Sequence, residues 1–448
     1  MKRIFLLIAC TGALFLAACG GESKLPNATG KGAVRAINAI PGSPEVGFKI
    51  EERPIDVLPY QHSSGPQRFD DLEYSFNFDI SYPGDAVLTR VASHPLKVEA
   101  GRDHILLLTG DINAPTITVW NGDIREWDGS ETVFEARFSH ASASLDDLDV
   151  YLDEVGTVPG TNPPVATLSF GEIVDAADFA AASYVLTVTA AGDLDTVHFV
   201  SNEANILAQF AHVFTVFDGD GNDTAPVAVR SMTASGNQML LKDSRYPPKA
   251  RFIHSAYTLE TVDIYDDELL TNLVVPDVQF KAATANLDTT STLRTYHFTP
   301  TNSQATILFD MTIAAQAPGT FGYVYLIGDT DAWRGVFLIP DLASSSISAK
   351  LRIFHGALAY EIFDVYVKDR GEPIIEDDQP RISATYAFPS LLVQLVAGSY
   401  DIYLTERGNK TEIAAPFQID VVLGDIVDLI AVDTVDPLVI EIVDVPVL

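Results

Sequence analysis

Apolar and polar residues alternate along most of this chain in short runs, the period that puts neighbouring side chains on opposite faces of a strand. One set of such runs reads Tyr74–Phe78, Tyr184–Val188, Arg294–Phe298 and Tyr400–Leu404. A second set, His104–Leu108, His212–Val216, Tyr323–Ile327 and Ile426–Ile430, reads as another hydrophobic strand in each unit. Turns at Gly110-Asp111, Asp218-Gly219-Asp220, Gly328-Asp329 and Asp433 follow the second set, and then closing strands such as Thr116–Val119 and Leu438–Glu441. Runs of β-branched and aromatic residues between Gly/Asp turns predict strands. No long amphipathic helix is expected; the alanine-rich Ala176–Ala182 reads as a single helical turn. The pattern predicts an all-β chain of tandem immunoglobulin-like antiparallel β-sandwich domains, about seven short strands in each.

A repeated motif sets the period. Arg137, His140, Asp149 and Tyr151 recur as Arg251, His254, Asp263 and Tyr265, and again as Arg352, His355, Asp364 and Tyr366. The intervals from Arg to His and from His to Asp are the same in all three. A degenerate copy comes first, with Arg35 followed by Asn38 and with Gly47-Phe48-Lys49 where Asp-x-Tyr is expected. Successive arginines lie 102, 114 and 101 residues apart, the size of a sandwich domain rather than of a solenoid repeat.

The Arg-x-x-His start ahead of Asp-Val-Tyr resembles the bacterial domain of unknown function family 4397, whose members open with a similar R-V-V-H-A-S-P-D-A-P run before a V-D-V-Y strand. That resemblance implies secreted or anchored proteins and brings no established activity. The expected units are 33–132 (degenerate), 133–247, 248–347 and 348–448.

Residues 1–18 read as a leader, with Lys2 and Arg3 ahead of an apolar run too short to span a bilayer comfortably. Leu16-Ala17-Ala18-Cys19 resembles the lipobox of bacterial lipoproteins, which implies a lipid on Cys19 and a membrane anchor. Cys10 leaves with the leader, so Cys19 is the one thiol of the mature chain, and acylation would use it up. Gly20 after the cysteine implies the outer membrane under the common sorting pattern, with either its periplasmic or its surface face open. Residues 19–32, rich in Gly, Ser, Asn and Pro, read as a flexible tether.

Twenty-eight basic against 61 acidic residues give a formal charge of −33, or −35 once Lys2 and Arg3 are removed. Such a surface repels nucleic acids and anionic glycans and attracts cations or basic partners. Strand alternation puts the motif histidines on the apolar face, where a buried imidazole needs hydrogen-bond partners, either in the following turn or at the Asp of Asp-x-Tyr. Asn38 supports a structural role, because an amide replaces a neutral imidazole as a hydrogen-bonding group but not as a general base. No catalytic, cofactor-binding or metal-ligating set is assigned. The arginines are expected across the solvent face of the sheet or on a carboxylate between domains.

Asp218, Asp220 and Asn222 occupy positions one, three and five of a calcium-type loop, but Asp223 and Val229 stand where Gly and Glu belong. The expected function is a non-enzymatic envelope lipoprotein acting as a scaffold, a spacer or a protein- or glycan-binding module. The alternatives are a polymer hydrolase with a cleft between domains and a calcium-stiffened adhesin. Trp120, Trp127 or Trp333 on an exposed face would favour a glycan.

Overall fold

A computed structural model describes residues 27–445 apart from 159, 331, 437 and 438, so Cys19 and the leader lie outside the described residues. Unit 1 comprises β1 (Lys31–Asn38), β2 (Val46–Ile50), β3 (Arg53–Leu58), β4 (Gln67–Asp70), β5 (Glu73–Ile80), β6 (Thr89–Lys97), β7 (Arg102–Asp111) and β8 (Ala114–Asp123). Its two sheets have the orders β4-β1-β7-β8 and β3-β2-β5-β6. The alternation read from the sequence fills the space between them. Phe48, Phe76 and Phe78 are fully buried there with Val34, Ala36 and Leu106, and Phe48 stacks on Phe78 at 5.2 Å. Each such aromatic contributes about 1.5–3 kcal/mol by leaving water.

The same wiring recurs three more times, each unit with its own two sheets and its own core. Unit 2 adds a fifth strand to each sheet, Ala204–Ile206 and Gln238–Leu241. The sandwiches are antiparallel except at one place in each, where the first strand runs parallel to the seventh, or in unit 2 to the eighth: β1 with β7, Val133–His140 with Ala211–Asp218, Lys249–His254 with Phe321–Ile327, and Ala349–His355 with Ile426–Asp433.

Three expectations change. Each unit has at least eight strands, because a short fourth strand closes the edge beside the first. Ala177–Ala180 is that strand in unit 2, not a helical turn: Phe179 pairs with Phe134 and stacks on it at 5.6 Å, so packing overrides alanine's helix propensity. The first strand opens at Lys31, inside the expected tether, and Asp71 accepts from the backbone of Thr29 and Gly30 at 2.6 and 3.1 Å.

The units do not stand apart. In units 1 and 2 the outer faces of the sheets holding these parallel pairs meet. Ile37, Ile105 and Leu107 pack there on Val213, Phe217 and Met232. Units 3 and 4 meet through the same faces, with Ile253, Tyr323 and Tyr325 against Phe354, Ile430 and Val432. The pairs are tied to each other as well. Thr224 N–H donates to the Gly319 carbonyl at 2.9 Å, joining unit 2 to unit 3. The segment between units 3 and 4 crosses unit 1, where Ser346 N–H donates to the Gly42 carbonyl at 2.7 Å and Ile347 enters the core.

Candidate functional site

The motif histidines end the first strands and are fully buried. Ala136, Phe138 and His140 share the core face, as do Ala250, Phe252 and His254. A carbonyl can only accept, so the bonds from His140 Nε2 to Asp146 O (3.0 Å) and from His254 Nε2 to Glu260 O (3.1 Å) place the proton on Nε2. Nδ1 of His140 is then free to accept the Ser142 N–H at 3.3 Å. Burial pushes the pKa of His140 and His254 down, and that of His355, with the Tyr360 backbone beside it, to about 4. These are neutral imidazoles. In unit 1 Asn38 does the same work: Nδ2 donates to Leu58 O and Ser43 Oγ at 3.0 and 2.8 Å, and Oδ1 accepts the Ile40 N–H.

Each histidine, and Asn38, is also clasped by a corner that the motif does not contain. In Tyr60-Gln61, Phe170-Gly171, Phe280-Lys281 and Tyr386-Ala387 the second residue has φ of 65–78°. Its N–H donates to the carbonyl of Asn38, His140, His254 or His355 at 2.7–2.8 Å. The carbonyl of the next residue accepts the backbone N–H of that same histidine or asparagine at 2.9–3.2 Å. A left-handed conformation costs a non-glycine residue about 1–2 kcal/mol, so the two bonds have to hold the corner in place. The aromatic ring stands edge-on to the imidazole at 5.8–5.9 Å in units 2, 3 and 4. In unit 1 Tyr60 turns instead to Phe217 of unit 2, and its hydroxyl donates to Asp218 O at 3.0 Å.

The aspartates of Asp-x-Tyr do not meet the histidines. Leu148, Val150 and Leu152 fill the core, so Asp149 and Tyr151 project from the other face of their sheet. Asp149 accepts from Thr167 Oγ1 at 2.5 Å and Gly192 N at 2.7 Å; Asp364 does so from Ser383 Oγ at 2.5 Å and Gly408 N at 2.8 Å. Asp263 accepts from the backbone of Asp277 and Asn302, both at 2.9 Å. Each carboxylate fastens the third strand and the hairpin turn after the fifth. Beyond them, the Tyr366 hydroxyl accepts from Lys410 at 2.9 Å, and that of Tyr265 is approached by Gln304 at 3.4 Å.

Arg35, Arg137 and Arg352 pair with carboxylates at the seams, whereas Arg251 bonds an amide. Arg35 is 2% exposed, pairs with Asp103 at 2.8 Å and donates to the Thr233 carbonyl of unit 2 at 3.2 Å. From the other side Arg137 reaches Glu135 at 3.1 Å and Asp103 at 4.0 Å, over the ring of Trp120. Arg352 pairs with Asp428 at 2.6 Å beside Tyr323 of unit 3, and Arg251 donates to Asn286 at 3.0 Å.

One large cavity is not repeated. A cleft of about 700 Å³ opens where units 1, 2 and 4 and the crossing segment meet. Unit 1 supplies Glu45, Val57, Tyr60, His62, Asp79 and Leu88; unit 2 supplies Asp220 and Asn222; unit 4 supplies Lys350, Leu392 and Gln394. Asp79 is occupied by Lys49 at 2.5 Å and Arg90 at 3.0 Å; these cations outweigh its burial and hold its pKa below the usual range. Asp341 is occupied by Lys350 at 2.9 Å.

The calcium-type loop forms one wall of this cleft, but its oxygens point to different neighbours. Asp218 accepts from Ser142, Ala143 and Ser144, and Asp220 from Asn222. Asn222 Oδ1 accepts from Leu342 and Ala343 at 2.5 and 3.1 Å. Among the described residues no three His, Cys, Asp or Glu side chains gather as a metal-binding group. The three tryptophans lie away from the cleft. Trp120 and Trp127 are each covered by an arginine, and Trp333 packs on the unit 3 core with its indole N–H on Thr258.

No family model matches the chain, and no curated protein does. Among solved structures it is similar to the Bacillus anthracis TIE protein at 10% identity and a TM-score of 0.16, over 91% of this chain and 69% of that one. It is also similar to the multi-modular glycogen-degrading pneumococcal virulence factor SpuA in a product complex. That match has 9% identity and a TM-score of 0.16, over 85% of this chain and 37% of the other. At these scores the likenesses carry no argument.

Proposed function

We propose that this chain is a non-enzymatic cell-envelope lipoprotein, held at the outer membrane through Cys19, whose four sandwiches form a scaffold that binds a partner protein. The observation that carries the reading is a division of labour. Polar residues that repeat from unit to unit serve turns and seams, whereas the cleft of about 700 Å³ draws on three different units. A protein ligand is favoured over a glycan because none of the three tryptophans lines that cavity.

The test is fractionation of cells producing the chain, with and without Cys19→Ala, joined to chemical crosslinking at the cell envelope. The wild type should sediment with outer membranes and crosslink to a protein, and the variant should appear in the soluble fraction. A wild type that stays soluble ends the anchor reading. A membrane-bound chain that crosslinks to no protein ends the scaffold reading.

A further inference from the structure

Resting on that reading, we propose that the central cleft takes a short extended segment of its partner in which basic and apolar residues alternate. Three observations meet there. The first is an open strand edge. Among the described residues Val393–Leu395 pairs only with Ala349–His355, at the end of its sheet. Lys350 stands opposite Gln394, but its N–H turns the other way, to the Asp425 carbonyl at 2.8 Å. The pair is therefore non-hydrogen-bonded, and the main-chain N–H and C=O of Gln394 point off the sheet. Gln394 lines the cleft, so an incoming strand finds a donor and an acceptor in register there.

Charge is the second. Asp79 and Asp341 are neutralised by Lys49, Arg90 and Lys350, and Asp220 bonds Asn222 within electrostatic reach of Arg230, but among the described residues the Glu45 carboxylate has no hydrogen bond or ion pair. His62, half-buried between Asp220 and Arg230, has its pKa pushed down by burial, so it adds no fixed positive charge at neutral pH. A lysine or arginine of the incoming segment supplies the partner that Glu45 lacks.

Third, the mouth is apolar: Val57 and Leu88 are 53% and 50% exposed on unit 1, across from Leu392 of unit 4. A strand sends alternate side chains to opposite sides, so one with alternating basic and apolar residues can offer the first to the carboxylates and the second to these three side chains. The opposite edge, β3, is closed to such pairing. Its Val57 N–H is bonded to the Asp56 side chain at 2.9 Å, and Pro59, which follows the strand, has no N–H. The volume fits a few residues, within the ordinary range of about 300–1,000 Å³ for ligand pockets.

The test is calorimetric titration of the whole chain in detergent with three probes: the capped peptide Leu-Lys-Leu-Lys-Leu, its Glu counterpart and spermidine. The lysine peptide should bind, and the glutamate peptide should not. Glu45→Gln, which breaks no existing bond, should weaken binding about fivefold, the worth of one partly exposed charge pair. Leu88→Gln should weaken it by a similar factor with the fold intact by circular dichroism. Spermidine binding as well as the peptide, with Glu45→Gln silent, would overturn the proposal in favour of diffuse attraction to an acidic surface. So would equal binding of both peptides, or no binding at all. Membrane fractionation and crosslinking stay independent of this result, so the ligand class can fail while the anchored scaffold stands.

Discussion

Phe354 belongs to unit 4, yet its ring serves the seam with unit 3. It stacks on Tyr325 with centroids 3.7 Å apart and planes 6° from parallel, and both residues are 1% exposed. Leu351 and Ile353, pointing the other way, fill the unit's own core. In a lone unit 4 the Phe354 ring would stand in water, so Phe354→Ala removes nothing from that core and about 3–5 kcal/mol from docking. About 0.5–1.5 kcal/mol of this belongs to the ring pair itself and should appear as non-additivity with Tyr325→Ala. Urea titration followed by tyrosine fluorescence and calorimetry reads both quantities. The expected outcome is that units 3 and 4 melt together in the wild type and separate in the variant. A stability change under about 0.5 kcal/mol, the size of an ordinary surface substitution, would refute a seam held by buried aromatics.

Acid should loosen the protein through its buried imidazoles. His212 and His355 are held at about 4 by burial, against a usual value near 6.5. The unfolded chain therefore binds protons first, and the stability they confer is complete above about pH 6.5 and drains away down to about 4. At about 1.4 kcal/mol per pH unit, each withholds about 3 kcal/mol by the lower end. Denaturation midpoints from pH 8 to 4 check this, and His355→Leu should make the slope shallower. Asp364→Ala leaves the Ser383 hydroxyl and the Gly408 N–H without their acceptor and should cost about 2–3 kcal/mol, read as a drop in the urea midpoint. Because the oxygens of the Asp218–Asn222 loop face separate donors, EDTA should leave the melting temperature unchanged; a fall of several degrees on chelation would restore the calcium reading.

The strands and the inward-facing histidines were legible because both follow from a period of two. The seams were legible in principle. Ile105–Leu108 and Phe321–Ile327 do not alternate, and a strand apolar on both faces is covered on both. The clasping corners escaped because the loops before Tyr60, Phe170, Phe280 and Tyr386 differ in length, so no fixed offset from the arginine marks them. The cleft had no local signature at all. Glu45, Asp220 and Gln394 are brought together by packing between units, which no window along the chain contains.

Ile347 makes the first sandwich depend on residues that follow the third. Its side chain is 6% exposed among those of unit 1, and Ser346 beside it is bonded to Gly42. During synthesis unit 1 emerges first but lacks the Ile347 side chain in its core until some two hundred further residues have appeared. Assembly then closes back on its start rather than growing bead by bead, and a chain cut after Leu338, where the last strand of unit 3 ends, would leave the first core without Ile347.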